Sequence, residues 1–291
     1  MHSVDSLRNI RQHSRSGQDS RMEVAVKDQY FGDVNDYRKY GLLRALGGGG
    51  KVSTMVCWAL TRGDGRSDGG RTSYLRDPGG WEAYDPALYS HLRKQVVVNG
   101  NRSVRAAECP SVLPNCAFFS EILPADPEAR DQYFERLLER SEGKVLLFLD
   151  PDNGIAVKSA PRGTPASHKY VYPCELERTY KAGLTVLVYQ HFPRAARAPY
   201  IRKRVLELNR VLGVRRIVTF STSHVVFLLV PQEKHWPLLN EAFEDVASRW
   251  GGQISVALHS IKADGKVSMR AVALPRRAPT GCQRTLPTSA A

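Results

Sequence analysis

The spacing of apolar residues divides the middle of the chain into alternating helices and strands. Residues 34–46, VNDYRKYGLLRAL, carry Val34, Tyr37, Tyr40, Leu42, Leu43 and Leu46 at helical intervals, which predicts a helix. Asp33 stands where an N-cap belongs, and the four glycines 47–50 end the pattern. Residues 52–60, VSTMVCWAL, predict a buried strand that runs into TRGDGRSDGGR, residues 61–71, a loop rich in glycine and charge. Residues 84–98 read as helical. VLLFL, 145–149, and LTVLVYQ, 184–190, predict two more buried strands, and 199–212 a basic amphipathic helix. RIVTFS, 216–221, and HVVFLLV, 224–230, read as strands joined through Thr222 and Ser223 in a tight hairpin. Residues 236–249 predict a helix and SVALHSIK, 255–262, a last strand.

Strands this apolar must be covered on both faces, and their alternation with helices implies an α/β fold. The expectation is a Rossmann-like, mostly parallel sheet with an antiparallel hairpin near one edge. Residues 22–274 read as a single domain that opens at Met22. Residues 1–21, rich in Ser, Arg, Gln and Asp, and residues 275–291 read as disordered tails.

Composition adds little until charge is counted. In 291 residues, Lys and Arg number 42 against 29 Asp and Glu, a formal excess of +13 that favours a polyanionic partner such as RNA or DNA. Part of the excess is dense. Arg194, Arg197, Arg202, Lys203, Arg204, Arg210, Arg215 and Arg216 are opposed over residues 194–216 by one acid, Glu207. Arg194, Arg197, Arg202, Lys203 and Arg204 are the candidate phosphate contacts. The bland alternative is a solvated basic face. No apolar run approaches the length of a membrane span, and the N-terminus lacks the apolar middle of a secretory signal. Five widely spaced cysteines without a CxxC argue against a disulfide framework or a cysteine zinc site, so a reducing, cytoplasmic compartment is expected.

In open α/β sheets ligands sit beyond the carboxyl ends of the strands. Three polar segments fall there. Asp150-Pro151-Asp152-Asn153 follows VLLFL directly. Pro151 fixes its own φ and restricts Asp150 to extended geometry, so the carboxylates that close the strand are stiffly held. Asp150, Asp152 and Asn153 are able to accept from an exocyclic amine, act as bases or bind a cation. A turn alone also accounts for them, since all are turn formers. His191, between Tyr189 and Phe192 at another strand end, is a candidate for proton transfer or phosphate contact, or a structural histidine. Asp64, Gly65 and Arg66 are candidates for cofactor contact in a loop that lets a ligand approach the backbone closely.

Taken in order, these pieces resemble the large-subunit ribosomal RNA adenine methyltransferases of the RlmJ type. GDVNDYRKY, residues 32–40, aligns without gaps with that family's Gly-Asn-His-Ala-Asp-Val-Leu-Lys-His, matching at Gly32, Asp36 and Lys39. Tyr40 falls where the family has a histidine that contacts S-adenosylmethionine. Asp150-Pro151 falls on the Asp-Pro-Pro-Tyr motif, with Asp152 and Asn153 replacing the second proline and the aromatic. The resemblance implies S-adenosylmethionine as cofactor, held by Lys39, Tyr40, Asp64, Gly65 and Arg66, and methylation of a base amine with Asp150 catalytic. Two other readings stay open. One is a magnesium-dependent nuclease or phosphodiesterase with Asp150 and Asp152 as ligands beside Asp33, Asp36 or Glu175. The other is a non-catalytic nucleic-acid-binding protein.

Overall fold

The computed structural model describes residues 30–63 and 69–272; both expected tails, and Asp64, Gly65 and Arg66, lie outside the described residues. Helix α1 (Val34–Leu46) leads into strand β1 (Thr54–Cys57). Then come α2 (Pro78–Trp81), α3 (Pro86–Arg93) with a π-helical extension at Lys94–Val98, β2 (Cys116–Phe119), α4 (Pro127–Arg140) and β3 (Leu146–Leu149). Two short strands, β4 (Gly154–Ile155) and β5 (Tyr170–Val171), precede α5 (Pro173–Lys181), β6 (Thr185–His191) and α6 (Arg197–Leu212). The chain closes with β7 (Arg216–Ser221), β8 (Val225–Val230), α7 (Trp236–Trp250), β9 (Ser255–Ile261) and β10 (Val267–Ala271).

Eight strands form one sheet in the order β10-β9-β7-β8-β6-β3-β1-β2, while β4 and β5 pair separately. Strands β2, β1, β3 and β6 are mutually parallel. Strand β8 opposes both β6 and β7, and β9 opposes both β7 and β10. Six of the eight strands therefore share one direction, and only β8 and β9 are reversed. The expected hairpin is β7–β8. Strand β8 is wholly apolar and buried and β7 is buried between its two ends, so the hairpin sits inside the sheet, and the more exposed β9 and β10 complete the edge.

Alternation of side chains along each strand sorts the core into two layers. Val56, Leu146, Phe148, Leu187 and Phe227 face α1, α3 and α7. Met55, Cys57, Leu147, Leu149, Val186 and Val188 face α4, α5 and α6. Each fully buried aliphatic side chain contributes about 1.5–3 kcal/mol relative to exposure. A single truncation such as Leu147→Ala, at a residue with no exposed surface, removes about 2–5 kcal/mol.

Helix α1 is unusual because it is buried nearly all round. Asp33 caps it, accepting from the Asn35 amide at 2.9 Å, and Gly47 ends it. Its apolar side packs on α7 so closely that a Cβ on Gly41 would lie 2.0 Å from the Trp250 ring. Its polar side, Asp36 and Lys39, is equally buried and faces the carboxyl ends of the parallel strands. No helix among the described residues is long and apolar enough to cross a membrane.

Candidate functional site

The strand order fixes where a ligand belongs. From β1 the sheet continues to β2 on one side and to β3 on the other, so the order reverses between β1 and β3. The crevice beyond the carboxyl ends of such a pair is the ligand site of open α/β sheets. Here it is a cleft of about 1180 Å³. Lys39, Asp150, Asp152, Asn153 and His191 all line it, together with Asp33, Asp36, Trp58 and Tyr189.

At its centre lies an ion-pair triad. Lys39 Nζ donates to Asp150 Oδ2 at 2.6 Å and approaches Asp36 Oδ1 at 2.8 Å. The rings of Tyr189, Tyr40 and Trp58 surround the ammonium, with centroids at 5.6, 5.7 and 5.8 Å. Tyr40 itself does not reach the cleft. It is fully buried, and its hydroxyl donates to Asp36 Oδ2 at 3.2 Å, so it orients the triad from behind.

Burial pushes the Asp150 carboxyl up to about 6; the Lys39 ammonium opposes this, and Asp36 and Asp152 reinforce it. Asp36 is also raised, again by burial ahead of its pairing with Lys39. Burial works against the Lys39 ammonium, but Asp150 and Asp36 outweigh it and hold its pKa well above the ordinary lysine value. One cation between two carboxylates leaves one negative charge uncompensated.

The loop after β3 is held by hydrogen bonds rather than by its turn residues alone. The Asp150 amide extends the β1–β3 ladder to the Cys57 carbonyl at 3.0 Å. Thr61 Oγ1 donates to Asp152 Oδ2 at 3.3 Å. Gln190, 2 % exposed, clamps the rest: its Oε1 accepts from the Ile155 amide at 2.9 Å, and its Nε2 donates to the Asn153 and His191 carbonyls at 2.9 and 3.0 Å. Gly154, at φ +98°, makes room for this amide, because a Cβ there would meet it at 2.6 Å. The amide that closes the apolar run LTVLVYQ is the sequence signal for Gln190, which is not among the candidate site residues. His191 hydrogen bonds through Nε2 with the Tyr189 hydroxyl at 3.0 Å, and burial lowers its pKa.

The basic candidates fare differently from one another. Arg194, Arg197, Arg202 and Lys203 are exposed, and Lys203 lines the cleft. Arg204 is buried, and its guanidinium is consumed inside the fold by Glu207, the Tyr200 hydroxyl and the carbonyls of Ile155 and Ala156. Its role is to tie α6 to the loop after β3 rather than to meet a phosphate. Glu175 lies away from the cleft, paired with the fully buried Arg130 and accepting from the Tyr172 amide at 2.8 Å. Among the described residues no group of three or more His, Cys, Asp or Glu side chains is arranged to hold a metal ion. Comparison with known proteins finds no family model that matches the chain and no curated protein that matches it.

Proposed function

We propose that the chain is a methyltransferase-like enzyme that acts on an amine of a nucleic-acid base, with S-adenosylmethionine as methyl donor and Asp150 as proton acceptor. One observation carries this reading: a carboxyl with a pKa near 6 stands at the strand-order reversal, facing a cleft and held by a buried ammonium. A base is most effective when its pKa lies near the working pH.

The donor set suits the cofactor. The net negative charge of the Asp36–Lys39–Asp150 triad, with Asp33 and Asp152 on the same cleft, complements a cation as compact as a sulfonium. Trp58 and Tyr189 add aromatic lining to the cleft, which suits an adenine. When bound, S-adenosylmethionine supplies an electrophilic methyl group. Asp150 accepts a hydrogen bond from the target amine, draws its lone pair out of conjugation, and takes the proton that N-methylation releases. Lys39 keeps that carboxylate ionised and fixes its orientation. The target base must leave its stack to reach such a depth, and the exposed cations Arg194, Arg197, Arg202 and Lys203 would hold the strand. The magnesium-dependent reading is less well supported, because Glu175 is committed to Arg130 and no ligand trio is in place among the described residues.

The test pairs ligand binding with turnover. S-adenosylmethionine should raise the melting temperature by mass action, while magnesium alone should not. Asp150→Asn should lower transfer of labelled methyl to RNA or DNA by about 10²–10⁴-fold, the usual share of a general base, with nucleic-acid binding retained. A magnesium-only melting shift, or transfer undiminished in Asp150→Asn, would refute the assignment.

A further inference from the structure

A second set of basic side chains lies to one side of the triad, and two of them, Arg71 and His224, line the cleft. The Arg38 guanidinium is locked in place: Nε and Nη2 donate to Gln253 Oε1 at 3.2 and 2.5 Å, Nη1 donates to Asn35 Oδ1 at 3.2 Å, and the Trp81 ring lies 5.3 Å away. Arg38 is 8 % exposed, yet both of its hydrogen-bond partners are neutral amides. Buried charges are normally paired. The nearby acid is Asp33, whose two oxygens already accept from the amides of Asn35 and Arg71.

Arg71 is exposed and lines the cleft, but its backbone is pinned on both sides to the start of α1. Its amide donates to Asp33 Oδ2 at 3.1 Å, and its carbonyl accepts from the Val34 amide at 3.1 Å. The side chain thus springs from a fixed root. His224, in the β7–β8 turn, lines the cleft too. Its carbonyl accepts from the Phe192 amide at 3.2 Å, and its amide donates to Thr222 Oγ1 at 3.2 Å. Arg197, the first residue of α6, reaches the same turn by donating to the Ser223 carbonyl at 2.6 Å. Burial first, then the charges of Arg71, Arg38 and Arg197, lower the His224 pKa against the pull of Asp33. Four separate segments therefore bring three guanidiniums and an imidazole to this side of the cleft, with Asp33 as the nearby acid. The excess of positive charge over the one carboxylate favours an anion there.

We infer that Arg38, Arg71, His224 and Arg197 form an anion site that takes a phosphodiester of the strand whose base enters the cleft. The assignment rests on the reading that the cleft admits a nucleic-acid base, but not on the methyl-transfer step. Arg71 and His224 would touch the phosphate; Arg38, fixed by Gln253 and Asn35, supplies charge from behind. Lys203 and Lys169 line the cleft as well. The substrate class is therefore a strand, not a free nucleoside.

The experiment measures binding of a short fluorescein-labelled single-stranded oligonucleotide by anisotropy across a salt series. Arg71→Ala removes an exposed side chain, so folding is not at issue. It should weaken binding and flatten the slope of log K against log salt by about 0.7, the value of one phosphate contact on a single strand. Arg71→Lys should restore most of the slope. By NMR, the His224 imidazole, which Arg71, Arg38, Arg197, Asp33 and His191 act upon, should titrate at higher pH once the strand is bound. Equal slopes for wild type and Arg71→Ala overturn the site, and do so even if methyl transfer is observed. A His224 shift with inorganic phosphate or S-adenosylmethionine but not with the strand also overturns it, by making a free anion or the cofactor carboxylate the occupant. A flattened slope without methyl transfer upholds the site and sinks the transfer chemistry alone.

Discussion

Replacing Lys39 by methionine probes the triad directly. Methionine keeps the length of the side chain but removes the ammonium from between Asp36 and Asp150. Two buried carboxyls are then left without their cation. In the wild type, moving the Asp150 carboxyl from 3.8 to about 6 already costs the fold about 3 kcal/mol at neutral pH. Removing the compensating partner of a buried pair costs about 3–5 kcal/mol more. For a domain of this size that is a fall of about 6–20 °C in melting temperature. The sign with pH is specific. A carboxyl raised in the folded state stabilises below its unfolded pKa, and that contribution is lost as pH rises through the folded pKa. Lys39→Met raises the folded pKa values of Asp36 and Asp150 further, so its deficit should be small near pH 4 and widen above about pH 6. The Lys39 pKa is itself raised, so its contribution is constant across this window and fades only at strongly alkaline pH. Thermal melts by circular dichroism from pH 4 to 8 read this out. A deficit that is the same at every pH would refute the electrostatic account, leaving only lost packing.

Other expectations follow from neighbouring features. The acid limb of the pH–rate profile should fall near pH 6, with rate rising as Asp150 ionises; a limb below pH 5 would contradict the raised carboxyl. Gln190→Ala leaves the Ile155 amide and Asn153 carbonyl without their partner and should cost about 2–5 kcal/mol, with faster hydrogen exchange at Ile155 by NMR. Gly41→Ala drives a methyl into the Trp250 ring and should cost about 1–3 kcal/mol or more, seen as a lower denaturant midpoint followed by tryptophan fluorescence.

Where one periodicity dominates, the sequence was readable. Helix α1 has the bounds its apolar spacing predicts, with Asp33 as its cap, because capping chemistry and burial agree there. VLLFL and LTVLVYQ became β3 and β6 within a residue, since no other element buries such runs at that length. The 84–98 segment did not form one helix: Glu82–Tyr84 is a 3-10 turn, Pro86 starts α3 after Asp85 caps it, and Lys94–Val98 is π-helical. Helices α4 and α5 were missed because charged residues mask a narrow apolar stripe, Tyr133, Phe134 and Leu137 in α4. Their signal was at the ends, in Asp126-Pro127 and in Pro173 with Glu175 two residues later. In the site, Asp150 and Lys39 were both singled out, but their contact spans 111 positions, a separation that no local spacing encodes. Arg204 was misjudged because its intended partners, the carbonyls of Ile155 and Ala156, are brought to it only by the tertiary fold.

The packing of α1 on α7 sets an order of events. The ammonium that governs Asp150 belongs to the first helix described, whereas the surfaces that seat that helix, Trp250 and Gln253, are supplied some two hundred positions later. During synthesis the parallel strands can pair long before this latch exists. A chain halted before Trp250 would contain Lys39 and Asp150 but lack the α7 surface against which the helix carrying Lys39 is packed.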